Sequence, residues 1–113
     1  MKVINRIKAN EDFALTIKNG RSLKTQSFTI HYKANELNRI RVGISVSKKI
    51  GNAVIRNRVK RQIRAMCDSI FDYVASSYDV VVIVKNVFLE KTFQENKIIL
   101  QEALSGVITG VTK

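Results

Sequence analysis

The sequence predicts an α+β domain, an α/β sandwich with elements in the order helix, strand, strand, helix, strand, helix. Three observations predict it. SFTIHYK and RIRVGISVS alternate apolar and polar residues with a period of two. From Ala53 to Ser76 the apolar residues recur every three or four positions, and DVVVIVK is an unbroken apolar run framed by charge. A chain of 113 residues is the size of one domain, taken here as 1–113, and can bury a single core. Helices interleaved with strands then call for a small mixed sheet with helices laid on it.

The first helix is NEDFALTIKNG. Asn10 is placed to cap it, Glu11 and Asp12 suit the positive end of its dipole, and Gly20 stands where the helix should stop. Phe13 and Ile17, four residues apart, share one of its faces. In SFTIHYK, Phe28, Ile30 and Tyr32 point one way, and Ser27, Thr29 and His31 the other. RIRVGISVS repeats this with Ile40, Val42, Ile44 and Val46 against Arg41, Gly43, Ser45 and Ser47. Joined by the polar link ANELN, the two read as an antiparallel pair with one apolar face. Their second face is polar, carries small residues and is open to a ligand.

After the loop SKKIGN a long helix runs from Ala53 to Ser76, and Ile55, Val59, Ile63, Met66, Ile70 and Val74 form the stripe that docks on the sheet. Arg56, Lys60 and Arg64 make a second row beside that stripe at spacing four, with Asn57 and Arg61 on the next row round. DVVVIVK has the pattern of a strand covered on both faces. In TFQE, Thr92 and Glu95 form a capping box that opens a last helix, with Phe93, Leu100, Ala103, Leu104 and Val107 on its apolar stripe. Cys67 is expected to be an ordinary half-buried helix residue.

Charge points to function. The formal net charge is +11, and seven of the twenty Lys and Arg residues (Lys48, Lys49, Arg56, Arg58, Lys60, Arg61, Arg64) fall within 17 residues that hold no acid. Acids enter the long helix only at Asp68 and Asp72, an order that opposes the macrodipole by a few tenths to about 1 kcal/mol per exposed charge. A helix written only for stability would place them the other way. Clustered Arg and Lys at a pI of about 10.2 form the electrostatic footprint of a nucleic-acid binder. No apolar run of membrane-spanning length occurs, and MKVINRIKANED lacks the apolar stretch of a signal peptide, so a cytoplasmic protein is expected. One cysteine and one histidine supply neither a disulfide nor the common zinc site. No nucleophile with its base, carboxylate pair or glycine-rich phosphate loop is legible, so no catalytic residue is assigned to the protein itself.

RNA is favoured over DNA. A helix-turn-helix reader needs two short helices about a tight turn, whereas this helix follows a strand and a loop. A sheet with an open face beside a basic helix suits a single RNA strand, bases in the groove and phosphates on Arg and Lys.

VGISVSKKIGNAVIRNRVKRQIR closely resembles the signature of the protein component of bacterial ribonuclease P, and the similarity runs from NRIKANEDF to the final helix. KK, GNAV, RNR and KRxxR at this spacing form a specific pattern. The resemblance implies an accessory subunit of a ribonucleoprotein endonuclease that removes the 5′ leader from precursor tRNA. In that family the catalytic site and its Mg2+ ions lie in a large RNA, and the protein binds that RNA and holds the single-stranded leader in a cleft. It also implies a left-handed βαβ crossover, against the usual right-handed rule, and a protein that is monomeric within the holoenzyme.

Transferred by position, the resemblance assigns RNA binding to Lys48, Lys49, Arg56, Asn57, Arg58, Lys60, Arg61 and Arg64. It assigns the leader cleft to Phe13, Ile17, Thr29 and His31. Phe13 also reads as core packing of the first helix, and His31 as an ordinary strand-surface residue. Ile17 stands where an aromatic is common in relatives, and His31 where tyrosine often stands. An aliphatic side chain offers a base no ring face, and an imidazole is a smaller platform that titrates near pH 6.5 when unperturbed. The alternative reading is a ribosomal or general RNA-binding protein without a role in cleavage.

Overall fold

Alternation and helical periodicity resolve into helix α1 (Asn10–Asn19), strands β1 (Arg21–Lys24), β2 (Phe28–Ala34) and β3 (Arg41–Ser45), helix α2 (Ala53–Ile70), strand β4 (Tyr78–Val84) and helix α3 (Phe93–Ser105). Short 3-10 turns occupy Val3–Asn5 and Asn86–Glu90. The computed structural model describes residues 1–111. The expected element order holds, with β1 added as a short edge strand whose RSLK sequence is too polar to announce itself.

The sheet order is β1-β2-β4-β3, which corrects the expected pairing of β2 with β3. β4 lies between them, antiparallel to β2 and parallel to β3. Burial explains the arrangement. Val80, Val81 and Val82 are fully buried on both sides of β4, so this strand gains most from the centre, while the mixed face of β3 tolerates an edge. α2 is then the crossover between the parallel neighbours β3 and β4.

One face of the sheet carries the main core. Phe28, Ile30, Val42, Val80 and Val82 pack with Val59, Ile63, Met66 and Ile70 of α2 and with Leu100 and Leu104 of α3. Each such side chain contributes about 1.5–3 kcal/mol on burial. Phe28 meets Phe88 edge to face at 5.6 Å. Cys67 is fully buried rather than half-buried, and desolvation pushes its thiol up to about 12.

Several local expectations change. α2 ends at Ile70, because the backbone beyond it is taken by other partners. The Asp72 amide donates to the Gly110 carbonyl at 2.7 Å, the Ile40 amide donates to the Tyr73 carbonyl at 2.7 Å, and Phe71 bridges to Val111. Val74 therefore leaves the apolar stripe and is 77 % exposed. Asn10 is the first residue of α1, with Ala9 at the cap and no side-chain cap bond. Gly20 keeps an extended conformation, and its glycine is required because a Cβ would lie 2.4 Å from the Thr16 carbonyl oxygen. Phe93 is solvent-facing and not part of the α3 stripe.

The capping box of α3 forms as expected. Thr92 Oγ1 accepts from the Glu95 amide at 3.1 Å, and Glu95 Oε1 accepts from the Thr92 amide at 2.9 Å. That backbone hydrogen bond, followed by the side-chain one, holds the Glu95 carboxyl below the usual range. A depressed carboxylate stabilises the fold above its unfolded pKa, and that contribution is lost as pH falls through the folded value. Thr92→Ala should cost about 1 kcal/mol in a urea melt at neutral pH. The difference between the two proteins should shrink on acidification.

Candidate nucleic-acid interface

Asn52 starts α2 by accepting the Ile55 amide at 3.0 Å on its side-chain oxygen, which fixes the helix register just after the Lys48–Lys49 loop. Burial of Val59, Ile63, Met66 and Ile70 then sets the rotation of the helix. Arg56, Lys60 and Arg64 emerge half-buried beside the packed stripe, and Asn57, Arg58 and Arg61 are exposed with Lys48 and Lys49. The structure thus brings the eight predicted RNA-binding residues onto one helix and the loop before it.

None of the seven cations among them joins an ion pair among the described residues. The ion pairs of the described residues are Met1 amine with Asp68, and Arg41 with both Asp12 and Asp79. α2 has no acid in its first turn and no base in its last, so its own dipole adds to the local positive field. Burial, and then the neighbouring Arg6 charge, push Arg64 below ordinary arginine. Arg6 lies far from the basic run in sequence, and no periodicity links it to α2.

The second face of the sheet is only partly open, which narrows the expectation made for it. α1 packs across it, with the Phe13 ring seated on Gly43, where a Cβ would lie 2.5 Å from the ring. The glycine makes the seat. Phe13 therefore packs α1 onto the sheet, the core role that is one of its two readings. Ile17, one turn further along α1, shares its face and is 37 % exposed. Two cross-strand rows continue from under α1: His31 with Val81 and Gly43, then Thr29 with Ile83 and Ser45. Thr29, His31, Ile83 and Ser45 are half-buried, and Lys24 stands opposite Thr29 on β1. Ile83 and Lys24 escaped sequence reasoning, whereas alternation places Ser45 on the open face without a site role. A strand apolar on both faces hides which face Ile83 joins, and only the register brings Lys24 and Ser45 beside Thr29.

Arg41 ties β3 to β4 and touches α1. Its Nε and Nη2 donate to the Asp79 carboxylate at 2.9 and 2.7 Å, and Nη1 reaches Asp12 Oδ2 on α1 at 3.4 Å. Asn35 Nδ2 donates to Asp79 Oδ1 at 2.8 Å. The hydrogen bonds to Asp79 raise the Arg41 pKa above that of ordinary arginine, so the clamp is permanently charged.

Among the described residues, three buried side-chain nitrogens lack any hydrogen-bond partner: Arg6 Nε, His31 Nδ1 and Arg56 Nε. Buried polar groups are nearly always paired, so orphans call for an explanation. All three belong to the basic surface or to the sheet face beside α1. No helix among the described residues is long and apolar enough to cross a membrane, and no three His, Cys, Asp or Glu side chains group to hold a metal ion.

A family model described as Ribonuclease P matches residues 1–107. The chain belongs to the ribonuclease P protein family. The ribonuclease P protein component of Bacillus cereus strain B4264 is 40 % identical over 98 residues, covering 86 % of this chain and 85 % of that protein. That of Bacillus mycoides strain KBAB4 is 41 % identical over 98 residues, with 86 % and 85 % covered. The solved Staphylococcus aureus RNase P protein at 2.0 Å superposes with a TM-score of 0.78 at 35 % identity, covering 89 % of this chain and 93 % of that one. The Thermotoga maritima RNase P protein gives 0.78 at 28 % identity over 90 % and 96 %. Membership gives this ribonuclease P protein a role in a ribonucleoprotein of tRNA processing, with the ribonuclease P RNA as its partner.

Proposed function

We propose that this ribonuclease P protein is an accessory subunit that improves the grip of a catalytic RNA on precursor tRNA, the bond cleavage itself being performed on that RNA. The carrying observation is the unneutralised basic surface of α2 and the loop before it, seven cations with no ion-paired carboxylate among the described residues, beside a sheet face that includes an unpartnered His31 nitrogen. Lys48, Lys49, Arg56, Arg58, Lys60, Arg61 and Arg64 meet phosphates of the RNA subunit, and Asn57 supplies an uncharged hydrogen-bonding amide on the same surface. The cleft between α1 and the sheet takes the single-stranded 5′ leader. Phe13 offers a ring edge, Ile17 and Ile83 offer aliphatic faces, and Thr29, His31 and Ser45 offer hydrogen bonds.

Added positive charge also lowers the Mg2+ concentration the RNA needs, because phosphates screened by Arg and Lys repel one another less. The metal would be bound by the RNA. The leader reading is tested with precursor tRNAs of decreasing leader length, bound to a bacterial ribonuclease P RNA with and without the protein. The protein should strengthen binding of precursors and leave mature tRNA unchanged. Equal strengthening of both would remove the leader from the account.

A further inference from the structure

Helix spacing alone would end the cationic row of α2 badly. Arg56, Lys60 and Arg64 recur every four residues, and the next position on that row is Asp68, an acid that would repel a phosphate. The fold modifies this end of the row. Asp68 Oδ2 accepts from the Met1 amine at 2.7 Å and Oδ1 accepts from the Tyr73 hydroxyl at 2.7 Å, so both carboxylate oxygens are engaged. Burial by itself would raise this carboxyl, but those hydrogen bonds and the charges of the amine and Arg6 hold it below the usual range.

Arg6 arrives at the same place from the opposite end of the sequence. Its backbone bridges to Val42, and the Ile7 amide donates to the Val42 carbonyl at 3.0 Å, which lays the N-terminal segment along the edge strand β3. Arg6 Nη2 reaches the Met1 carbonyl at 3.3 Å, its Nε is buried without a partner, and it joins no ion pair among the described residues. The Arg6 charge acts on Arg64, and Asp68, the acid that Arg6 also faces, is already engaged by the Met1 amine and the Tyr73 hydroxyl. Two guanidinium groups in this position repel until an oxyanion is shared between them.

We propose that Arg6 and Arg64 together form a phosphodiester-binding site, through which the N-terminal segment extends the α2 surface towards β3. The proposal rests on the α2 reading given above. At 1.5 Å per residue, Arg56 to Arg64 spans about 12 Å, and a cation level with position 68 lengthens the row to roughly 18 Å. Arg6 is thus a binding residue contributed by a segment that carries no basic run.

The test is binding of the full chain to a bacterial ribonuclease P RNA over a salt series. Arg6→Gln should weaken binding roughly fivefold near physiological salt and flatten the log–log slope by about 0.7 to 0.9. Arg6→Lys should restore most of both. In an Arg64→Gln background, Arg6→Gln should add little, as expected of two side chains serving one phosphate. An unchanged slope for Arg6→Gln, with a reduced slope for Arg64→Gln, overturns this proposal and leaves the α2 surface standing. Unchanged slopes for both overturn the two together. A second measurement leaves Arg6 in place. Ile4→Cys, at a position 60 % exposed, accepts a tethered hydroxyl-radical reagent, while the buried Cys67 takes no label. RNA scission next to the region that α2 protects is expected, and its absence overturns the proposal.

Discussion

Replacing Arg56, Lys60 and Arg64 together by glutamine should weaken binding to a bacterial ribonuclease P RNA by roughly 100-fold near physiological salt. Each phosphate contact contributes about 0.7 to 0.9 to the salt slope, which at such salt corresponds to roughly fivefold in affinity. Three contacts multiply to about 100-fold, and the slope should flatten by about 2 to 3. These residues are half-buried beside the packed stripe, so their stems are held and little order is lost on binding. Among the described residues none is tied to a carboxylate, so no ion pair there has to break first. Filter binding over a salt series reads both quantities. A triple variant with unchanged slope would show that the row does not meet phosphates.

Arg41→Ala should destabilise the fold by about 3 kcal/mol, the scale for removing one partner of a buried pair. Asp79 is buried, and without Arg41 its carboxylate keeps only Asn35 as a side-chain donor. Asp12 is far less committed, with a side chain 41 % exposed and a contact of 3.4 Å. Asp12→Asn should therefore change stability by less than about 1 kcal/mol. Urea denaturation separates the two cases.

The parts of the fold that were legible in the sequence are those set by local periodicity. The α2 stripe, the alternation of β2 and β3, the doubly buried β4 and the Thr92–Glu95 box each follow from residues within one element. Strand order was not legible, because nothing local in DVVVIVK says that β4 inserts between β2 and β3. The premature end of α2 was hidden for a related reason: Asp72 and Tyr73 give their backbone groups to Gly110 and Ile40, residues distant in sequence.

The candidate site divides along the same line. Lys48 to Arg64 is contiguous, and its charge could be read directly. The proposed leader cleft draws on α1, β2, β3 and β4, so register alone places Ile83 and Ser45 beside Thr29. Arg6 lies along β3 through its bridge to Val42, a placement that no local pattern announces. Phe13 and His31, each open to two readings in the sequence, part company here: the Phe13 ring packs on Gly43, while the His31 imidazole keeps a buried nitrogen with no hydrogen-bond partner among the described residues.

The most direct measurement is cleavage of a precursor tRNA by a bacterial ribonuclease P RNA at low Mg2+, with and without this protein. The protein should raise the rate at low Mg2+, have progressively less effect as Mg2+ increases, and show no cleavage in the absence of the RNA. An RNA whose rate and Mg2+ requirement are unchanged by the protein would contradict the account.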